Sequence, residues 1–219
     1  MSTLRAHFDL ELKTLTDKII SMSTLIEKAI DQTLLALVNK DESLAKQVIA
    51  GDDVFDRMEK EIEDECVSLI SRQQPVASDL RAIFSIMKIV TDFERIADHC
   101  EDISSITLNL ITQDYVKPLV DIPKMADLVK EMVRKTVDCY IEQDVIKARL
   151  ICANDDAVDR YYQLVIDDVK LLLAEKPEAA GQLLDFLMIA KYLERMADHS
   201  TNIAEWVIYS VEGEHFSSN

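Results

Sequence analysis

Apolar residues recur every three to four positions along most of this 219-residue chain, which is the period of an α-helix with one buried face. Glycine and proline interrupt the pattern at Gly51, Pro75, Pro118, Pro123 and Pro177. Asp41 and Asp144 are predicted to cap helix N-termini, and Gly51 indicates a bend or the close approach of a neighbouring helix. We therefore predict an all-α protein with six helices, over residues 3–39, 42–72, 77–112, 122–142, 145–174 and 178–211.

The last three predicted helices repeat the first three. The phrase FERIADH at 93–99 returns as LERMADH at 193–199, and DDVFD at 52–56 returns as DDAVD at 155–159. Such consistent self-similarity indicates an internal duplication. We predict two pseudo-symmetric three-helix bundles, related by a pseudo-twofold axis. The predicted divisions are a first repeat at 1–112, a linker at 113–121 and a second repeat at 122–219.

Carboxylates four positions apart, and hence on one helix face, occur twice in each copy. The candidate metal ligands are Asp52 with Asp56, Glu94 with Asp98, Asp155 with Asp159, and Glu194 with Asp198. Like charges at this spacing repel, so a bound cation would relieve them, and oxygen ligands suit Mg²⁺, Ca²⁺, Mn²⁺ or iron. Because these stripes point away from the apolar face, we expect a solvated surface site. The alternative is an ordinary acidic face without metal.

The second copy preserves this acidic pattern less completely than the first. Its fifth predicted helix has Tyr162 and Ile166 at the positions of Glu59 and Glu63. We therefore expect the second metal site to differ from the first in the number of ions that it holds.

Other side chains border these stripes. His99 and His199 are predicted to pack between helices, with the orientation of metal ligands as the alternative. Arg95 is expected to pair with a nearby acid such as Asp98. Trp206 lies on the polar side of the last predicted helix. It indicates a contact with a partner, between the bundles, or with the linker.

Composition narrows the function classes. A net charge of −17, from 41 acidic and 24 basic residues, argues against binding nucleic acid through its phosphates. Neither a signal peptide, an apolar run of membrane-spanning length nor a CxxC pair is present, so we expect a cytoplasmic protein. There is no phosphate-binding glycine loop and no pattern of a nucleophile with a paired histidine. We therefore expect no enzymatic activity.

The residues of three stretches carry a family resemblance. Residues 44–99 contain DDVFD, a QxPxAxDLR turn and FERIADH, while residues 154–173 and 191–209 contain DDAVD and LERMADH. Together they resemble the two repeats of the PhoU family of phosphate-transport regulators. The resemblance covers nearly the whole chain, although the second copy lacks the DLR of the turn.

The resemblance implies two three-helix bundles, with metal clusters held by the four carboxylate pairs named above. The ions implied are iron, or divalent magnesium, manganese or zinc. It also implies a negative regulator of the phosphate-starvation response and of phosphate uptake. Such a protein links the ATPase subunit of the phosphate ABC transporter to the phosphate-sensing histidine kinase, reaches the membrane only through these partners, and forms a homodimer. The alternatives are a metal-dependent phosphohydrolase and a metal-buffering helical scaffold.

Overall fold

The computed structural model describes residues 3–154 and 156–216, and within these ranges the chain is helical with no strand. The helices are α1 Thr3–Asn39, α2 Glu42–Gly51, α3 Asp53–Gln73, α4 Ser78–Leu110, α5 Asp121–Glu142, α6 Val145–Asn154, α7 Asp156–Glu175 and α8 Ala180–Glu212. A 3₁₀ turn, Pro177–Ala179, leads into α8. Among the described helices, none combines the length and the apolar character needed to cross a membrane. The predicted all-α class is confirmed.

One of the six predicted helices, 42–72, is divided in two. The predicted helix 42–72 contains α2 and α3, which meet at Asp52, whose N–H donates to the Ile49 carbonyl three residues back, at 3.4 Å. A Cβ added to Gly51 would meet no atom within 4 Å, so a close helix approach does not explain this glycine. The predicted helix 145–174 is described as α6 and α7 on either side of Asp155, which lies outside the described residues.

The N-termini of α2 and α6 are set by equivalent aspartates. The Asp41 carboxylate accepts a hydrogen bond from the Leu44 N–H at 3.0 Å, and the Asp144 carboxylate accepts one from the Lys147 N–H at 3.0 Å. Each bond satisfies a backbone donor that the first helical turn leaves without a partner. Both predicted caps are confirmed.

The apolar faces of α4 and α8 form the centre of the molecule. α4 packs against α1, α2 and α3, α8 packs against α5, α6 and α7, and the two central helices pack against each other. The predicted core positions of these two helices are buried, namely Val90, Phe93, Ile96, Ala97, Cys100, Ile103, Leu193, Met196, Ala197, Ile203 and Val207. The two predicted bundles are therefore present, and their cores join along α4 and α8 into one.

Trp206 takes part in this junction between the copies. Its ring lies edge-on to Phe84 of α4, with centroids 5.8 Å apart, and edge-on to Tyr209 at the same distance. Of the three contacts considered for Trp206, the structure shows the one between the bundles.

The predicted linker is folded against both copies. The Tyr115 hydroxyl donates to the Leu37 carbonyl at 2.6 Å. The buried Gln182 side chain accepts from the Val116 N–H at 2.6 Å and donates to the Asp114 carbonyl at 3.0 Å. These bonds attach the linker to α1 of the first copy and to α8 of the second.

Candidate metal centre

Three of the predicted acids converge where the break between α2 and α3 faces α4. Asp52 lies at the break, Asp56 follows in the first turn of α3, and Asp98 lies on α4. Each offers one carboxylate oxygen, and the three oxygens all lie within 4.8 Å of one another. Within the described part of the chain, no other three Asp, Glu, His or Cys side chains come this close together.

Glu94, the fourth predicted ligand of the first copy, lies beside this group on α4. Its side chain is only 13% exposed, and its buried Oε2 has no hydrogen-bond partner, although Arg95 Nε lies 3.4 Å away. Burial first, and the Asp98 charge second, raise the pKa of Glu94 to about 7. Burial, followed by Asp98 and Glu101, raises the pKa of Asp52 to about 6. The site therefore disfavours its own negative charge, which a cation would offset.

The first-copy acids are less exposed than predicted. A solvated surface site was expected, yet the Glu94 and Asp98 side chains are 13% and 27% exposed. A helical wheel shows which residues point away from a helix's own apolar stripe, but not whether another helix covers them. Here α2 and α3 pack against α4, so the acids lie between these helices.

The donor set fits a hard cation. Such ions bind oxygen at about 2.0–2.6 Å, which allows two ligand oxygens on one ion to be up to about 5 Å apart. The spacing of the Asp52, Asp56 and Asp98 oxygens is within that limit. The neighbouring Arg95 donates to Asp98 Oδ2 at 2.9 Å, as predicted, but its own side chain is 53% exposed.

The second-copy acids have a different environment. Burial and the charge of Glu194 raise the pKa of both Asp159 and Asp198, which places these three carboxylates within electrostatic reach of one another. Asp155 lies outside the described residues. This group contains a lysine that the first copy lacks, and Lys191 Nζ donates to Glu194 Oε2 at 2.6 Å.

The two motif histidines lie between α4 and α8. His199 Nδ1 is 2.8 Å from Asp92 Oδ1 on α4, so this contact joins the two copies. His99 is buried, with Nδ1 3.3 Å from Asp102 Oδ2, and its ring centroid lies 5.7 Å from that of His199. Burial lowers the pKa of His99. These contacts agree with the predicted packing role.

Sequence reasoning missed two side chains that shape these sites. Glu101 adds charge near Asp52, and Lys191 neutralises Glu194. Both lie three residues from a predicted ligand on the same helix, a spacing that places side chains on one face. A comparison of equivalent positions in the two copies also identifies Lys191 as a difference between them, because the first copy has Thr91 at that position.

Comparison with known proteins extends these observations. The model of the PhoU domain matches the chain twice, over residues 19–107 and 122–207. A Clostridium acetobutylicum protein named phosphate-specific transport system accessory protein PhoU homolog is 37% identical over 216 residues, covering 98% of this chain and 99% of that protein. The Escherichia coli K12 protein named phosphate-specific transport system accessory protein PhoU is 29% identical over 213 residues, or 97% and 88% of the two chains.

Solved structures show the same architecture. The crystal structure of PhoU from Pseudomonas aeruginosa gives a TM-score of 0.90 at 34% identity, covering 94% of this chain and 100% of that one. The phosphate transport system regulatory protein PhoU from Streptococcus pneumoniae also gives 0.90, at 29% identity, covering 96% and 99%. Sequence, repeat structure and fold therefore agree, and the chain belongs to the PhoU family.

Proposed function

We propose that this chain is an accessory protein of a phosphate-specific transport system, which restrains phosphate uptake and the phosphate-starvation response when phosphate is plentiful. The observation that carries the proposal is its similarity to PhoU accessory proteins over nearly its entire length. The relatives are named as accessory or regulatory proteins, which favours a binding role over catalysis.

The proposed mode of action is that of an adaptor. The chain would connect the ATPase subunit of the phosphate transporter with the phosphate-sensing histidine kinase on the cytoplasmic side of the membrane, as a homodimer. Its net charge of −17 favours basic surfaces on such partners, because opposite charges steer association. Pull-downs from cells held in high and in low phosphate test which membrane components bind, and light scattering tests the dimer.

Genetic deletion tests the regulatory role. In phosphate-rich medium, cells without the gene should take up more phosphate and express starvation genes, and the wild-type gene should restore both to their repressed level. The measurements are uptake of labelled phosphate and a starvation-promoter reporter. Unchanged uptake and reporter expression in the deletion strain would rule out the proposed regulator.

The proposal includes a cation at the first-copy cluster. Asp52, Asp56, Glu94 and Asp98 would hold a hard cation such as iron, Mg²⁺ or Mn²⁺, whose charge offsets these carboxylates. The support is the convergence of three oxygens within 4.8 Å beside Glu94 Oε2, a buried oxygen that accepts no hydrogen bond.

Elemental analysis tests this site. Protein purified without chelator should contain metal, and Asp56→Asn with Asp98→Asn should remove most of it, because two of the converging carboxylates lose their charge. Asp64→Asn removes an exposed acid of α3 and serves as the matched control. Equal metal content in both variants would contradict a site at this cluster.

The same proteins test the main alternative. A carboxylate-bound metal is also the basis of metal-dependent phosphoester hydrolysis. Steady turnover of a phosphomonoester that disappears in Asp98→Asn would replace the adaptor with a phosphohydrolase, whereas we expect no turnover above buffer.

A further inference from the structure

The two copies differ at a pair of facing positions beside their acid groups. In the first copy these are Glu59 on α3 and Thr91 on α4, and the Thr91 hydroxyl donates to the Met87 carbonyl at 3.1 Å. Thr91 also lies near enough to Glu59 to oppose the rise in its pKa that burial causes. The equivalent residues of the second copy are Tyr162 on α7 and Lys191 on α8. Lys191 Nζ lies 5.4 Å from the centroid of the Tyr162 ring. Where the first copy has an acid and a neutral side chain, the second copy has an aromatic ring and a cation. The contact between a cation and an aromatic ring is favourable by itself.

Lys191 contacts one predicted ligand of the second copy directly and acts on two others through its charge. Its Nζ donates to Glu194 Oε2 at 2.6 Å. Its charge also opposes the rise in the pKa of Asp159 and of Asp198 that burial causes. One ammonium group therefore acts on three carboxylates, from a side chain that is itself 41% exposed.

The first copy has Thr91 in place of this lysine, and its cation is Arg95, which donates to Asp98 Oδ2 at 2.9 Å and lies 3.4 Å from Glu94 Oε2. The second copy keeps an arginine at the equivalent position, Arg195, so Lys191 is an additional cation there. The charges that act on Asp52 come from Asp98, Glu101, Asp56 and Asp53, all of them acidic. At the position of Glu101, the second copy has Thr201. The first copy thus has more acidic residues and one basic residue fewer at these positions, and the buried Oε2 of Glu94 accepts no hydrogen bond.

We propose that Lys191 is the resident counter-ion of the second-copy carboxylates, and that divalent metal binds at the first copy alone. The inference rests on the metal site proposed above. An ammonium group and a divalent ion compete for the same oxygens, and a metal entering beside Lys191 would meet a like charge at close range. Whether a lysine is present at the equivalent positions 91 and 191 therefore determines which copy binds a metal.

Reciprocal substitutions test this assignment in the full chain. After chelator treatment, Mn²⁺ binding is measured by equilibrium dialysis. Lys191→Thr should add a second Mn²⁺, bound at least about tenfold more tightly than at the wild-type second copy, and adding Asp198→Asn should remove it. Thr91→Lys should weaken the first-copy site by at least about tenfold. The double variant, Thr91→Lys with Lys191→Thr, should bind Mn²⁺ at the second copy instead of the first.

The controls separate local from general charge effects. Lys28→Thr removes an exposed lysine of α1, and Ser105→Lys adds a lysine to an exposed position of α4; neither should alter Mn²⁺ binding. Circular dichroism checks folding, and if Thr91→Lys does not fold, Lys191→Thr decides alone.

Two results would overturn the inference. The first is that Asp198→Asn and Asp98→Asn, each made alone in the wild-type chain, reduce Mn²⁺ binding equally. The second is that Lys191→Thr binds no more Mn²⁺ than wild type. If wild type binds none while Lys191→Thr binds one, the role of Lys191 stands and the metal at the first copy does not.

Discussion

Asp52 and Glu94 are held in surroundings that favour their protonated forms. Burial is the largest cause for each, and neighbouring acids add to it, so their pKa values rise to about 6 and about 7 from 3.8 and 4.5. In metal-free protein these groups therefore bind protons more tightly when folded than when unfolded. Folding stability must then depend on pH through this site.

The metal-free protein should lose stability as the pH rises from 5 to 8. Because the folded pKa values of Asp52 and Glu94 are raised, their stabilising contribution is complete below the unfolded values and disappears as the pH passes through 6 and 7. We expect a change on the order of 1 kcal/mol per group, after allowing for solvent screening. Urea unfolding of chelator-treated protein measures it.

The matched variant for this pH dependence is Asp52→Asn with Glu94→Gln. It should have a flatter dependence over the same range, because neither replacement titrates. Parallel curves for wild type and variant would show that other groups control the pH response.

At this scale the sequence predicted which acids share a helix face, because the helical repeat fixes that geometry locally. It did not predict their burial, since that depends on α2 and α3 packing against α4. Arg95 was assigned to Asp98 because the two are only three positions apart in the sequence. Asp92 was missed as the partner of His199 because the two are 107 positions apart in the sequence.

Among the helices, local signals were read more reliably than long-range ones. The caps at Asp41 and Asp144 are formed by bonds to residues three positions further on, so the sequence contains all that is needed to predict them. The division of the predicted helix 42–72 into α2 and α3 was expected only as a possible bend at Gly51. Its position depends on how α2 and α3 each pack against α4.

Removing either cap should destabilise the fold. Asp41→Ala and Asp144→Ala are each expected to lower the free energy of unfolding by about 1 kcal/mol, because a backbone N–H in the first helical turn loses its partner. The two effects should be additive, since the caps lie on different helices. Urea denaturation measures both.

Lys60→Ala, which changes an exposed residue of α3, is the comparison for these caps and should shift unfolding by less than about 0.5 kcal/mol. A cap variant as stable as Lys60→Ala would mean that solvent replaces the lost hydrogen bond.

For the whole molecule, the sequence predicted two copies but not that they share one core. A repeat reveals that two segments fold alike, whereas the way their faces meet depends on residues far apart in the chain. Phe93 and Phe186, both fully buried, belong to different copies and to the same core. The copies are therefore expected to unfold together rather than as separate domains.

The contact between Phe84 and Trp206 tests this cooperativity. A double-mutant cycle with Phe84→Ala and Trp206→Ala should give a coupling energy of about 0.5–1.5 kcal/mol, as edge-on aromatic pairs do. Unfolding should remain a single transition in all four proteins, measured by circular dichroism in each and by fluorescence in those that retain Trp206. Zero coupling, or two separate transitions, would show that the copies are energetically independent.

The central position of α8 has a consequence for how the protein is made. The ribosome completes α4 before α8, so the face of α4 that α8 covers has no partner while the intervening hundred or so residues are added. At about 5–20 residues per second, that interval is roughly 5 to 20 seconds. The nascent chain thus exposes a long apolar surface during its own translation, and we expect it to depend on chaperones that shield such surfaces until the final helix emerges.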